Sequence, residues 1–483
     1  MMRRPATSSP LSGTRPGSAL ILSLLIAGCA VGPDYQRPAA ALPEAFAVAD
    51  AISPASAPVH KAWWTLFRDP VLDDLVAAAL ASNHDLLAAA ARVEEAEGLA
   101  READATFFPQ IDLAAGASRT QASTATAIPV PATTPRLRDS RKAALSTSFE
   151  IDLWGKLRRA NEAARAELLA SHYARDTVEL SVAGLVASNY LALRAADATV
   201  ALTQSTLDAR QKTLDIVRSR LEGGAASPLE LHQAEASLAT AAVQLAEARR
   251  QRGLAENQLA LLAGKPGLQI APANLKQLPL PPVPPAGLPS TLLEARPDVR
   301  QAEEALVSAN ARIGVAKAAL FPSLSLTGSL GSESAALANL FSSAAGTWSL
   351  GLATTLPIFD AGRNSARIDQ ASARQKQALS NYQKAVHSAF KDVNDALVNL
   401  REHREGEQAQ DARVRAAEKT LELAQVRYQA GYSGFLEVLD AQRSANDVLT
   451  ASVGTRQARL NAAVSLFKAL GGGWQDDFAT ARR

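Results

Sequence analysis

The alternation of apolar and polar positions predicts strands at matching places in the two halves of the chain. Apolar residues alternate with polar or small ones in four segments, at 111–119, 145–153, 324–330 and 348–358. A period of two with one apolar face is typical of a strand whose one side is buried or faces lipid. The sequence therefore predicts two pairs of strands, each joined by a loop rich in small and polar residues, at 120–139 and 331–346.

The distribution of proline predicts long helices. Between Pro135 and Pro266 the sole proline is Pro228, and none follows Pro357. Because proline costs about 3 kcal/mol inside a helix, these gaps permit very long ones. We predict two helices of about 100 Å at 1.5 Å per residue, each followed by a returning helix. The long helices are predicted at 155–222 and 363–430, and the returning helices at 228–263 and 435–470.

The chain also repeats itself. Residues 220–234 align without a gap with residues 427–441, always 207 positions later, so that Gly224 matches Gly431 and Glu230 matches Glu437. Repetition of a long unit predicts that one fold was built twice. The predicted divisions are a signal peptide at 1–28, a lipidated extended segment at 29–62, a first repeat at 63–264, a proline-rich connector at 265–296, a second repeat at 297–471 and a tail at 472–483.

The N-terminus has the pattern of an exported lipoprotein. Basic residues precede an apolar run at 19–27, which is too short to span a membrane as a helix. The run leads to Cys29, the only cysteine of the chain, so no intramolecular disulfide can form. We predict a lipid anchor on Cys29, against the alternative of a buried free thiol. Ala30 follows it in place of an aspartate, which favours the outer membrane.

Composition excludes several classes of protein. The formal net charge is +2 with no basic block, so nothing indicates nucleic-acid binding. The six histidines are scattered without metal-ligand spacing, and no glycine-rich phosphate loop is present. We therefore predict no enzyme activity, no catalytic residue, no metal and no cofactor. After residue 28 no apolar run approaches spanning length, so a membrane crossing would need β-strands, and four strands require further chains to close.

Four motifs resemble the TolC/OprM-type outer-membrane efflux channels. Residues 29–38 are similar to the lipidated leader of that family, and residues 63–86 to its first helix. The segment 288–300, Leu-Pro-Ser-Thr-Leu-Leu-Glu-Ala-Arg-Pro-Asp-Val-Arg, resembles its most specific short signature, and 427–442 resembles its second helix turn. The resemblance implies an α+β membrane protein. Its long α-helical coiled-coil barrel lies in the periplasm and joins a β-barrel that trimerisation completes, with four strands per chain.

The resemblance also implies function and partners. A homotrimer anchored in outer-membrane lipid and extending into the periplasm would be the exit duct of a tripartite efflux system. It would passively conduct drugs and other toxic compounds that an inner-membrane pump delivers through a periplasmic adaptor. The alternatives are a channel for metal-ion efflux or protein secretion, or a non-channel periplasmic coiled-coil lipoprotein. The chain has only two methionines, so a methionine-lined path for soft metals has no support.

The family places the two helix turns, at Gly224 and Gly431, at a periplasmic tip where the tunnel narrows. Ser227, Pro228 and Glu230 form a capping-box pattern, so Glu230 and its counterpart Glu437 could serve as caps or take part in gating.

Three further residues near the second turn are tip candidates. Asp440 could form a threefold carboxylate ring or lie on a solvated helix face. Tyr428 matches an aromatic position of the family, where it could link hairpins or simply pack. Ser433 stands where some relatives carry a charged residue, so a charged lock is not expected there.

Overall fold

The computed structural model of the chain describes residues 30–39, 43, 46, 61–123, 125, 133, 135–283 and 292–475. The predicted signal peptide and Cys29 lie outside these residues. The described part contains four strands, β1 Gln110–Gln121, β2 Leu137–Ile151, β3 Ser323–Ser334 and β4 Gly346–Thr355. It contains eight helices, α1 Pro70–Ser82, α2 His84–Ala105, α3 Lys156–Glu222, α4 Pro228–Leu262, α5 Leu292–Ala295, α6 Pro297–Ala318, α7 Arg363–Gln429 and α8 Phe435–Ala469. Among the described residues, no helix has both the length and the apolar character needed to cross a membrane.

The long helices begin and end within one residue of the predicted bounds. Helices α3 and α7 have 67 residues each, and the returning helices α4 and α8 have 35 each. Each bound of α7 and α8 lies 207 positions after its counterpart in α3 and α4. The internal duplication predicted from the sequence is thus present in the fold, because glycines at equivalent positions, Gly224 and Gly431, interrupt the helices of both copies.

The first helix matched by the resemblance is broken into α1 and α2 at Asn83, whose backbone is extended with ψ 127°. The Oδ1 atom of Asn83 accepts hydrogen bonds from the backbone N–H groups of Asp85 at 2.9 Å and Leu86 at 3.3 Å. Its Nδ2 donates to the Leu262 carbonyl at 3.1 Å. The side chain therefore caps α2 and ties the break to the end of α4.

The four strands form one antiparallel sheet in the order β1-β2-β3-β4. Strand β2 begins earlier and β3 ends later than predicted, because β2 pairs with β1 as far as Leu137 and with β3 as far as the pair Arg141 and Ser334. Strand β4 ends at Thr355 instead of 358. Pro357 has no backbone N–H to donate to the ladder, which stops the strand.

The chain divides into two compact units. Unit 1 comprises residues 1–37, 96–168 and 305–379 and includes the sheet. Unit 2 comprises residues 38–95, 169–304 and 380–483.

Unit 2 has a large apolar core. Trp63, which is fully buried, stacks on Phe467 with ring centroids 5.4 Å apart. The Tyr190 hydroxyl donates to Asp69, the residue that caps α1. Burial raises the pKa of Tyr190, so its hydroxyl keeps the proton that it donates.

A buried ionic cluster in unit 2 holds the start of the proline-rich connector. Asp197 accepts from Arg194 at 2.9 Å and from Arg252 at 2.7 Å, and both Arg194 and Asp197 are only 2% exposed. The two arginines also donate to the carbonyls of Ala271, at 2.8 Å, and Ile270, at 2.6 Å. The two guanidinium groups therefore satisfy backbone carbonyl groups of the connector that are not paired in a β-sheet.

The described part of the connector is partly extended. Between 265 and 283 its regular structure is one short turn, Leu275–Gln277, whereas α5 adds a helical turn at Leu292–Ala295 that the sequence did not predict.

Candidate functional site

The sheet of unit 1 has one apolar face. Directly paired residues form a row across all four strands, consisting of Leu113, Leu145, Leu330 and Trp348. Trp348 is 78% exposed in the single chain, and Leu113 is 73% exposed. An apolar surface of this kind requires a covering, which lipid or another chain can supply.

The opposite face of the same sheet is polar. The neighbouring row consists of Asp112, Ser146, Ser329 and Ser349. The hydroxyl oxygens of Ser329 and Ser349 lie 2.7 Å apart, within hydrogen-bond distance. A sheet whose residues alternate between an apolar face and a polar face can separate lipid from water.

The two helix turns have the same backbone geometry. Gly224 and Gly431 have φ of +73° and +78°, in the left-handed region that glycine adopts without strain. The N–H of Ala225 donates to the Arg220 carbonyl at 2.7 Å, and that of Tyr432 donates to the Arg427 carbonyl at 2.8 Å. These six-residue closures end α3 and α7 identically.

A small apolar cluster lies beneath the turns and includes Tyr428 and Phe435. The Tyr428 hydroxyl donates to Glu230 at 3.4 Å, and the Arg220 guanidinium carbon lies 4.7 Å from the centre of the Tyr428 ring. Burial and the nearby Glu230 carboxylate raise the pKa of Tyr428, so the hydroxyl remains a donor. Tyr428 thereby joins the first hairpin to the second within one chain.

The predicted caps differ between the copies. Ser227 Oγ accepts from the Glu230 N–H at 3.3 Å, whereas the N-cap of α8 is Gly434, with no side-chain hydrogen bond. Glu437 instead pairs with Arg427, at 3.3 Å.

Asp440 and Ser433 lie beside the second turn. Asp440 is exposed and pairs with Arg443 at 2.7 Å, one turn further along α8. The Oγ of Ser433 is buried and has no hydrogen-bond partner among the described residues.

Within unit 1, the residues that follow Cys29 pack against the end of β2 and against α6. The N–H of Val31 donates to the Trp154 carbonyl at 3.0 Å, and Asn310 donates to the Pro33 carbonyl at 2.8 Å. A Cβ atom at Gly314 would stand 2.7 Å from the Val31 carbonyl oxygen, so only glycine permits this close approach. Sequence reasoning missed this contact, because no local pattern links Gly314 to a segment nearly 300 residues earlier.

No group of three metal-ligating side chains is present in the described part of the chain. With its two-faced sheet and duplicated helical hairpins, the chain has the features of a channel wall. A sequence model of the family "Outer membrane efflux protein" matches residues 75–265 and 288–472. The chain therefore belongs to the outer membrane efflux protein family.

Individual relatives match over nearly their whole length. The chain is 35% identical over 461 residues to the cation efflux system protein CusC of Escherichia coli, covering 94% of this chain and 98% of CusC. It is 34% identical over 478 residues to the probable efflux pump outer membrane protein TtgC of Pseudomonas putida, covering 96% and 97%. The solved structure of the CmeC outer membrane channel of Campylobacter jejuni aligns with a TM-score of 0.87 at 27% identity, covering 94% and 97%.

These matches confirm the TolC/OprM-type resemblance and the predicted fold class of helical repeats joined to four strands per chain. The protein is an outer-membrane efflux channel that extends into the periplasm, and its relatives are channel proteins and not enzymes. The alternative of a non-channel periplasmic coiled-coil lipoprotein is therefore wrong.

Proposed function

We propose that three copies of this chain form the exit duct of a tripartite efflux system. The duct conducts small molecules that an inner-membrane pump delivers through a periplasmic adaptor. The observation that carries this proposal is the two-faced sheet of four strands. Its apolar row suits contact with lipid, and its polar row suits a water-filled lumen.

The free edges of that sheet support closure by further copies of the chain. In the order β1-β2-β3-β4, the outer edges of β1 and β4 have no partner strand within the described part of the chain. Unpaired backbone N–H and C=O groups each cost several kcal/mol in hydrocarbon, so an open edge is not tolerated there. Closure by β1 of one copy against β4 of the next satisfies these groups.

The helix turns at Gly224 and Gly431 are proposed as the periplasmic tip. The contact of Tyr428 with Glu230 supports a role in holding the two hairpins together at a closed tip. The pairing of Glu437 with Arg427 joins α7 to α8 within the second hairpin and supports a role in holding that turn. Asp440 is proposed to attract cations at the constriction. The positive charge of Arg443, 2.7 Å away, weakens that attraction.

Replacing Tyr428 with phenylalanine is expected to increase channel opening several-fold in planar bilayers. The change removes the hydroxyl contact with Glu230, worth about 1 kcal/mol, and leaves the ring in place. Tyr432→Phe is the matched control, because Tyr432 is 80% exposed at the same turn. Equal opening of the Tyr428→Phe and Tyr432→Phe channels would contradict the proposed contact at the tip.

Asp440→Ala should reduce cation selectivity at neutral pH.

The lipid anchor on Cys29 remains a proposal with structural support in the residue that follows it. A Cβ atom at Gly155 would stand 2.9 Å from the Cα of Ala30, so Ala30 lies directly against the turn between β2 and α3. In the proposed duct the membrane-spanning strands end at that turn. An acyl chain on Cys29 would therefore begin close to the membrane surface.

Cys29→Ser should therefore abolish acylation. Metabolic labelling with a palmitate analogue should mark the wild type and leave the variant unlabelled, since only a cysteine can carry the anchor. Fractionation should find the variant unprocessed or less firmly bound to the outer membrane. An unlabelled wild-type protein would contradict the proposal.

Drugs and other toxic small molecules are the proposed cargo. Relatives named for toluene efflux and for cation efflux are similarly close, at 33% and 35% identity. Both methionines of this chain are at positions 1 and 2, so none of the described residues offers a thioether ligand for soft metals. This absence favours organic solutes over copper or silver ions.

Deletion of the gene should sensitise the cell to organic drugs and detergents more than to copper or silver. Complementation with the wild-type chain is the control, and co-purification identifies the adaptor and the pump. Sensitisation to metal ions alone would support the cation-efflux alternative, and loss of an exported protein would support secretion.

A further inference from the structure

A basic groove lies in unit 1, next to the sheet. It has a volume of about 430 Å³ and lies among helices α3, α6 and α7. Its four basic side chains are Lys156, Arg312, Arg367 and Arg374, and Glu167 is its only acidic one. The rest of its lining is mainly small and apolar, consisting of Ala305, Ala309, Val315, Ala316, Ala319 and Ala371.

Two of the four basic groups are not neutralised. Lys156 pairs with Glu150 at 3.0 Å, and Arg312 pairs with Glu167 at 2.5 Å. Arg367, by contrast, donates to the neutral side-chain oxygen of Asn364, at 3.4 Å, and to no carboxylate that the structure describes. Arg374 has no hydrogen-bond or ion-pair partner among the described residues. Both are exposed, and they lie seven residues apart on α7, which puts them on one face about 10 Å apart.

The groove lies on the polar side of unit 1. Glu150, the partner of Lys156, is on the same face of β2 as Ser146. On α6, Asn310 and Gly314 contact the segment that follows Cys29. Arg312 is two residues from each of them, about 200° around the helix, so the groove is on the face of α6 opposite that segment.

We propose that this groove binds amphipathic anions on their way through the duct. An anionic head group, such as a carboxylate or sulfonate, would bind Arg367 and Arg374, and the apolar body would lie on the alanine-rich floor. Guanidinium groups bind such oxygens through paired, charge-assisted hydrogen bonds. The inference rests on the proposed function, because the polar side of unit 1 lines the lumen only if three copies form the duct. Three grooves would then form a ring of positive charge around the lumen, which would raise the local concentration of anions.

Binding of radiolabelled taurocholate to the purified full-length protein, measured by equilibrium dialysis in an uncharged detergent, tests the site. The double variant Arg367→Gln/Arg374→Gln should bind at least about tenfold more weakly, since it loses charge-assisted hydrogen bonds. Lys384→Gln, which removes an exposed cation of α7 outside the groove, should bind like the wild type. Ala316→Leu, which fills part of the groove without a change of charge, should also weaken taurocholate binding. Dodecyltrimethylammonium should not compete.

The outcomes separate this inference from the duct itself. Equal taurocholate binding by the wild type and the double variant would overturn the site, even if both conduct ions in planar bilayers. Retention of binding in a protein that never conducts would leave the site standing and contradict the duct. If the wild type purifies with an anionic phospholipid that the double variant lacks, the groove binds membrane lipid, and the proposal is wrong.

Discussion

Replacing Asp197 with alanine is expected to destabilise the protein by about 3–5 kcal/mol, among the largest effects of any single substitution in unit 2. Asp197 neutralises both Arg194 and Arg252, and it also accepts from the Ala273 N–H at 3.2 Å. Without it, Arg252 keeps Glu256 at 3.2 Å, but Arg194, which is 2% exposed, loses the one ion pair that it forms among the described residues. A buried charge without a counter-charge lowers the free energy of unfolding, because the charged group loses its hydration and gains no compensating partner.

Thermal unfolding followed by helical circular dichroism in detergent measures this effect, and limited proteolysis reports the release of the connector that the cluster binds. Asp208→Ala is the control on the same helix. Asp208 is exposed and, within the described ranges, accepts a side-chain hydrogen bond only from Gln204, so its replacement should change stability by no more than about 0.5 kcal/mol. Similar melting of the two variants would show that the buried cluster contributes little to stability.

Local rules account for most of what the sequence predicted about the helices. Pro228, Gly224 and Gly431 act through their own backbone geometry, so the bounds of the long helices follow from sequence. The strand faces follow for the same reason, because alternation is a property of neighbouring residues. Asn83 was missed because it breaks a helix without proline or glycine, using a side chain and the distant Leu262 carbonyl.

The candidate sites were predictable only in part. The turns could be located from the repeat, but the contact of Arg220 with the Tyr428 ring joins residues 208 positions apart and has no local signal. The basic groove likewise combines residues from three helices of both copies. Long-range packing decides which surface arginines come together, and neither periodicity nor composition records it.

Replacing Leu145 with arginine is expected to prevent assembly of the channel in the outer membrane. Leu145 is at the centre of the apolar row, directly paired with Leu113 on one side and Leu330 on the other. An arginine on the lipid face near the middle of the bilayer costs about 2–4 kcal/mol, and in a trimer each of three copies would bear that cost.

Ser146→Arg is the matched control, because it introduces the same side chain one residue later on the opposite face of β2. In the proposed duct this arginine would point into water, so the protein should assemble and show altered ion selectivity. Outer-membrane fractionation with a native-gel assay for the trimer, followed by planar-bilayer recordings, compares the two variants. Normal assembly of Leu145→Arg together with failure of Ser146→Arg would reverse the assignment of the faces, and with it the side of unit 1 on which the lumen lies.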